Sequence, residues 1–161
     1  MTRPPAHRMT IAVASLISGL VALYLHLWKL GLAGSLSCGG NHGCEVVQMS
    51  SYGWFLGVDV ALIGTMGYAC IFMVALIGTL PAFEHEKWPT IALLALILPA
   101  LLFTVRLKYA EFVILRTFCP WCAVSAVTIT LCTVLAWLDW RSRRSAVGPV
   151  GGPLHHGEPA A

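Results

Sequence analysis

The most obvious chemistry in this chain belongs to its six cysteines, four of which form two closely spaced pairs. Cys38 and Cys44 lie in a segment rich in glycine and serine, and Cys119 and Cys122 form a Cys-Pro-Trp-Cys sequence. Two thiols at Cys-x-x-Cys spacing can close a small disulfide ring, and a helix that begins there favours the thiolate of its first cysteine. The four residues therefore predict thiol–disulfide exchange, which moves two electrons at each step.

Two other interpretations of these cysteines remain open from the residues alone. Four thiolates can hold a structural zinc ion, and the same pairs can also form two inert structural disulfides. Cys70 and Cys132 lie inside apolar runs without a partner at motif spacing. We expect both to be small hydrophobic residues packed in the interior.

Uncharged apolar runs make up most of the remaining chain. Of its 161 residues, 58% are apolar and 11% are charged, whereas about a quarter of a typical globular domain is charged. Runs without Asp, Glu, Lys or Arg cover residues 11–28, 60–83, 88–105 and 117–138. Each approaches the roughly 20 residues that span a bilayer as a helix, and none carries the polar stripe of a soluble helix. The composition excludes a disordered chain and predicts an all-α integral membrane protein, a four-transmembrane-helix bundle.

We expect three regions along the chain. Residues 1–9 form an N-terminal segment, residues 10–140 form the four-helix membrane domain, and residues 141–161 form a basic, then Gly/Pro-rich tail that is disordered. The predicted helices cover residues 10–30, 54–80, 89 to beyond 111, and 119–140. Pro99 is expected to kink the third helix.

The distribution of Lys and Arg predicts the orientation. Four crossings place both termini and the turn at residues 81–89 on one side, with six basic residues, against four on the other side. The side with more basic residues is the cytoplasm by the positive-inside rule. The loop between helices 1 and 2 and the start of helix 4 share the opposite face. Both cysteine pairs are therefore expected outside the cytoplasm, where disulfides persist.

Taken in order along the chain, these motifs resemble the vitamin K epoxide reductase family. They are the loop pair Cys38-x5-Cys44, the residues Glu45 to Gly53 that follow it, Gly57, the Gly64-x2-Gly67-Tyr68 stretch of helix 2, and Cys119-Pro-Trp-Cys122 at the start of the last helix. Membrane oxidases of the DsbB type have the opposite order, with their Cys-x-x-Cys in the first external loop.

The resemblance implies a bundle around a membrane quinone, ubiquinone or menaquinone, with the loop between helices 1 and 2 folded over it on the periplasmic side and no metal. Cys122 matches the cysteine next to the quinone and Cys119 matches its exchange partner. Cys38 and Cys44 match the shuttle cysteines of the loop. Ser50 matches a hydroxyl that hydrogen-bonds a quinone carbonyl, although a serine here also suits the N-terminal cap of helix 2.

Two positions depart from the family pattern. Ala126 stands where animal members carry a tyrosine that contacts vitamin K, which favours a plain quinone over an epoxide. Asp59 stands where many bacterial relatives carry proline. An intramembrane carboxylate is a candidate functional residue, so Asp59 is expected either at the quinone site, where it would supply protons, or in a pair with Arg106, Lys108 or Arg116.

These arguments predict a disulfide-forming quinone oxidoreductase of a bacterial inner membrane, with cytoplasmic termini. It would take electrons from a separate periplasmic thioredoxin-fold protein of the DsbA kind and pass them through the loop cysteines and the Cys-x-x-Cys pair to the quinone. One alternative is reduction of a quinone or vitamin K epoxide at the same site. The other is a zinc-binding membrane scaffold without catalysis.

Overall fold

The computed structural model describes residues 6–36, 38, 42–83 and 86–145. Its helices are α1 (Ala6–Lys29), α2 (Gly43–Met49), α3 (Val60–Ile77), α4 (Trp88–Tyr109) and α5 (Pro120–Ser145). A 3-10 turn (Ser51–Gly53) and a hairpin of β1 (Trp54–Phe55) and β2 (Val58–Asp59) connect α2 to α3, and a π-helix (Ala110–Ile114) extends α4.

Four helices are long and apolar enough to cross a bilayer, which confirms the predicted class, an all-α multi-pass membrane bundle. The apolar spans are Ala6–Lys29, Val60–Ile77, Trp88–Ile114 and Pro120–Ser142. Helix α1 packs against α3 and α5, and α4 packs against α5 and α3. Large apolar side chains such as Leu102 and Val127 remain exposed on the outer surface, as expected of a surface solvated by lipid chains.

The core of the bundle is built from aliphatic side chains at helical spacing. Ile11 of α1, Ile71 of α3, Leu93 and Ile97 of α4, and Ile129 of α5 are buried in one cluster. Each helix therefore presents one face to the interior and its remaining faces to lipid.

Buried polar side chains lock the end of the bundle that holds the N-terminus of α1. Arg8 is fully buried and pairs with Asp139 at 3.3 Å. It also donates to the Gly78 carbonyl at 2.5 Å and to the Thr90 hydroxyl at 2.9 Å. Thr90 donates in turn to Asp139 at 2.5 Å. Because these groups come from all four long helices or the turns beside them, we call this set the terminal clamp.

Helix α3 begins later than predicted. Residues 54–59, which were expected to start it, form the antiparallel hairpin in which Trp54 pairs with Asp59. The hairpin turn places Leu56 and Gly57 at φ of 53° and 80°, which a helix cannot accommodate. The Asp59 carboxylate then accepts the Ala61 N–H at 3.1 Å and caps α3. The cap of this helix is therefore Asp59, and the expectation that Ser50 could take that role is wrong.

The other boundaries differ at the ends of the chain. Helix α1 already begins at Ala6, inside the segment predicted to precede it, and α5 continues to Ser145, inside the tail predicted to be disordered. Residues 146–161 of that tail lie outside the described residues. The predicted continuation of the third helix beyond Arg106 is confirmed, and its last turn is the π-helix.

Candidate active site

The loop between α1 and α3 carries a disulfide at the end of the bundle opposite the terminal clamp. Cys38 and Cys44 are bonded to each other, and both are buried. Cys44 lies in the first turn of α2. The structure thus brings the first cysteine pair together as a disulfide.

A glycine sets how closely α2 approaches the segment before α5. A Cβ added to Gly43 would collide with the Phe118 carbonyl oxygen and the Thr117 hydroxyl. Cys38, Cys44 and Cys119 consequently share one buried cluster with side chains of α1, the loop and α3: Leu25, Leu36 and Ala61. Three of the four cysteines expected to exchange electrons are therefore packed in one cluster.

The second pair lies at the N-terminus of α5, where both thiols are free. The Cys122 N–H donates to the Cys119 sulfur at 3.2 Å. The pKa of Cys119 lies below its ordinary value because the side chain and backbone of Cys122 both hydrogen-bond to it, which outweighs the opposing effect of burial. The Lys108 charge lowers this pKa further and the Glu111 charge raises it. Cys119 thus has an environment that favours a thiolate.

Cys122 lies in the wall of an internal cavity of about 410 Å³ that is bounded by α1, α3, α4, α5 and the loop. Gln48 of α2 donates to the Cys122 sulfur at 3.7 Å. The wall is predominantly apolar, and its apolar side chains include Val21, Leu25, Ile71, Phe103, Leu107 and Trp121. A cavity of this size and lining is typical of a small-molecule site, and its apolar wall with a thiol and a few polar groups fits a quinone ring.

A lysine and a glutamate form an ion pair in the same wall. Glu111 is buried in the π-helix, and its Oε1 accepts the Cys119 N–H at 2.7 Å. Its Oε2 accepts from Lys108 Nζ, also at 2.7 Å. Both residues line the cavity. The sequence analysis did not predict this pair, because it included Glu111 in the third helix without giving it a role. The available signal was a carboxylate in an apolar stretch shortly before a Cys-x-x-Cys pair.

Asp59 and Ser50 contact protein groups and do not line this cavity. Asp59 pairs with His26 at 2.7 Å and with Lys29, so the predicted pairing with Arg106, Lys108 or Arg116 is wrong. Burial raises the pKa of Asp59, but the hydrogen bonds from Lys29, His26 and the backbone outweigh it and hold the pKa below its ordinary value. Ser50 donates to the Val47 carbonyl at 2.7 Å. The predicted quinone contacts of both residues stay predictions.

The two remaining cysteines lie apart from these pairs. Cys132 is buried in the core, as expected, whereas Cys70 is exposed on the outer face of α3, so the expectation that Cys70 packs in the interior is wrong. Within the described ranges, no cluster of three or more His, Cys, Asp or Glu residues could hold a metal ion.

An apolar membrane cavity with one cysteine of a Cys-x-x-Cys pair in its wall is an arrangement that suits a membrane-embedded thiol oxidoreductase. The chain matches the vitamin K epoxide reductase family over residues 9–137. This match covers nearly all of the four long helices and both cysteine pairs, and the chain belongs to that family. Membership identifies a helical membrane bundle and an oxidoreductase, in a family that is quinone-linked in general.

Proposed function

We propose that this protein generates disulfides, with a membrane quinone, ubiquinone or menaquinone, as its electron acceptor and a periplasmic thioredoxin-fold dithiol protein as its electron donor. One observation carries the proposal. Cys122 lies in the wall of the apolar cavity, while Cys119, its neighbour in the motif, is packed with the Cys38–Cys44 disulfide. The two cysteines therefore connect the loop to the cavity.

The first step takes place at the loop. A thiolate of the donor protein attacks the Cys38–Cys44 disulfide, and its second thiol resolves the mixed disulfide. The donor leaves oxidised and both loop cysteines become thiols, so two electrons have entered the protein.

The second step moves these electrons to α5. A loop thiolate attacks Cys119 of an oxidised Cys119–Cys122 pair, which releases Cys122 as a thiol beside the cavity. The other loop cysteine resolves the mixed disulfide and releases Cys119. Thiols of low pKa leave faster in such exchange, so the lowered pKa of Cys119 favours this direction. A bonded Cys38–Cys44 pair and an unbonded Cys119–Cys122 pair are the arrangement that this step would leave.

The third step oxidises the α5 pair. A bound quinone supplies a two-electron acceptor that also takes up two protons. Cys119 closes the disulfide with Cys122 as the two electrons leave, and Gln48 positions the Cys122 sulfur. The apolar wall excludes water from the reacting sulfurs.

No specific observation favours either alternative, epoxide reduction or a zinc-binding scaffold. Epoxide reduction would gain from a hydroxyl at position 126, but this residue is alanine and lies outside the lining of the cavity. A zinc scaffold would need a ligand cluster, and the described part of the chain offers none.

Electron transfer can be tested with the purified full chain in lipid nanodiscs. A reduced thioredoxin-fold donor should reduce decylubiquinone or menadione with one quinol formed per donor disulfide. Cys122→Ala should abolish quinol formation, and Cys70→Ala, at the exposed outer cysteine, should leave it within about twofold. Equal rates for the wild type and Cys122→Ala would refute the proposed function.

We also propose that the termini lie in the cytoplasm of a bacterial cell and that both cysteine pairs face the periplasm. The excess of basic residues on the terminal side supports this orientation. After reduction, a membrane-impermeant maleimide added to intact spheroplasts should label Cys38 or Cys44. Labelling only after the membrane is made permeable would reverse the proposed orientation.

A further inference from the structure

The ion pair of Lys108 and Glu111 is placed between a reacting cysteine and the cavity. One oxygen of Glu111 holds the backbone of Cys119, and the other holds the Lys108 ammonium. The rings of Phe112 and Phe118 lie 5.7 Å and 5.8 Å from the same ammonium. These three partners hold the ammonium of Lys108, a residue that lines the cavity together with Glu111 and Cys122.

We propose that Lys108, held in place by Glu111, is the acid that delivers one proton to the quinone as Cys119 and Cys122 are oxidised. The proposal rests on the function proposed above and deepens it. It assigns Lys108 as a catalytic residue and Glu111 as a positioning residue.

The proton balance of the reaction requires such a donor. With Cys119 as thiolate and Cys122 as thiol, oxidation of the pair supplies two electrons and only one proton, whereas a quinone that becomes a quinol takes up two of each. The second proton comes from the Lys108 ammonium, which becomes a neutral amine. The sum of charges is then zero on both sides.

The reaction with the loop thiols returns Lys108 to its ammonium form for the next cycle. When two loop thiols reduce the Cys119–Cys122 disulfide to one thiolate and one thiol, one proton is released. Lys108 takes it up.

Other polar groups near the cavity are less suited to this role. Tyr68 already shares its hydroxyl with Ser125 at 2.7 Å. Asp59 lies outside the lining, paired with residues of α1. The charged and titratable groups that act on Cys119 are Cys122, Glu111 and Lys108, and Tyr52 is the further titratable side chain that borders the cavity beside Tyr68.

Two substitutions distinguish the electrostatic effect of the Lys108 charge from its ability to donate a proton. Lys108→Arg keeps a cation beside Glu111, but a guanidinium does not release its proton in this pH range. Lys108→Ala removes both. In single-turnover mixing of the pre-reduced protein with decylubiquinone, we expect both variants to be slower by on the order of 10²-fold, the usual contribution of general acid catalysis.

Chemical rescue tests the proton itself. Propylammonium should raise the rate of Lys108→Ala at least about tenfold, within the range of general acid effects. Tetramethylammonium carries the same charge without an N–H and should give no rescue. Lys87→Arg, an exposed lysine at the opposite end of α4, and Arg106→Met, an exposed basic residue of α4, are the matched controls and should behave as wild type.

A readout without quinone checks the placement of the ammonium. The ultraviolet absorbance of the Cys119 thiolate should titrate at higher pH in Lys108→Ala than in the wild type, because an attractive charge is lost. Lys108→Arg should titrate as wild type, and Glu111→Gln at lower pH, because an opposing charge is lost.

The outcomes distinguish the two proposals. If the wild type does not reduce decylubiquinone or menadione, the proposed function fails and this inference fails with it. If the wild type is active but Lys108→Arg is equally fast, or both ammonium ions rescue Lys108→Ala equally, Lys108 acts only through its charge and proton delivery is refuted. An unchanged thiolate titration in Lys108→Ala would also overturn the proposal.

Discussion

The two ends of the bundle each hold a buried ion pair, and the pairs differ in what surrounds them. In the terminal clamp, the Arg8 guanidinium is enclosed by Asp139, Thr90 and backbone carbonyls. At the other end, Lys108 and Glu111 border the cavity. A charge whose hydrogen bonds all go to fixed protein groups can hold helices together. A charge that borders a ligand-sized cavity can also exchange a proton with what binds there.

The comparison predicts different consequences when each region is altered. Removing one partner of a buried pair leaves the other charge without compensation, which is costly to folding. At the terminal clamp this cost should appear as lost stability alone, whereas at the cysteine end a stability loss should be accompanied by a loss of the chemistry in the protein that remains folded.

The largest expected effect is at Cys122. Cys122→Ser should lower quinone reduction at least about 10³-fold, as the loss of a reacting nucleophile does in other enzymes. It should also trap a mixed disulfide between Cys119 and a loop cysteine, because the resolving thiol is missing. Non-reducing peptide mapping would detect this link.

Cys119→Ser is the matched variant for the division of roles. It should show no link between α5 and the loop, although the thiol of Cys122 remains beside the cavity. A loop disulfide to Cys122 in this variant would contradict the assignment of Cys119 as the exchange partner of the loop.

The next largest effect is expected at the terminal clamp. Arg8→Met leaves Asp139 buried without its guanidinium and should destabilise the protein by about 3–5 kcal/mol. Thermal unfolding in detergent would measure the loss. Protein that remains folded should still reduce quinone near the wild-type rate, since the clamp lies far from the cysteines.

Lys87→Met is the control for this end of the bundle. Lys87 is also basic and is exposed beside the start of α4, so its substitution should change stability by only about 0.5 kcal/mol. Equal losses in the two variants would show that Arg8 does not act through burial.

A smaller effect is expected from the contact between α2 and α5. Gly43→Ala adds a Cβ that meets the Phe118 carbonyl and Thr117, so α2 must shift away from Cys119. We expect exchange between the loop and α5 to slow by about tenfold, because misplacement by about 1 Å can cost up to about 10²-fold in reacting groups. Stopped-flow alkylation after reduction of the loop would measure it. Gly34→Ala, where a Cβ meets no atom within 4 Å, should exchange at the wild-type rate.

The sequence predicted those parts of the fold that follow from composition, from the length of the apolar runs and from the spacing of motifs. Long uncharged runs predicted the four spans because a bilayer requires helices of that length. The Cys-x-x-Cys spacing predicted the pair at the start of α5. What the sequence could not indicate is which charged side chains turn inward. Arg8 is one of the six basic residues assigned to the terminal side, and its partner Asp139 lies 131 positions away.

The hairpin and the π-helix were missed for a local reason. Two strands of two residues each are too short to show an alternating pattern, and only Asp59 separates Val58 from the apolar run of α3. The π-helix leaves no signal in hydropathy, yet it changes the register that decides where Glu111 points. The carboxylate before the Cys-x-x-Cys pair was a signal in the sequence, but its bonds to Lys108 and to the Cys119 backbone became visible only in the structure.

The smallest expected effect concerns Asp59. Like Asp139 and Glu111, it is a buried acid that pairs with basic groups, and its ion pairs join the hairpin to α1. Because its folded pKa lies below the ordinary value of 3.8, its charge contributes stability that is fully present above that value and is lost as the pH falls through the folded pKa. Asp59→Asn keeps an oxygen that can cap α3 and accept from Lys29, whose ammonium also retains the Gly53 carbonyl and the Trp54 ring as partners. The lost charge should therefore cost only about 1 kcal/mol at pH 7. Measured as unfolding temperature, the difference from wild type should shrink as the pH falls below 3.8. A difference that stays constant over this range would show that Asp59 acts through its hydrogen bonds alone, and a large loss of quinone reduction in folded Asp59→Asn would instead place this residue with Lys108 in the chemistry.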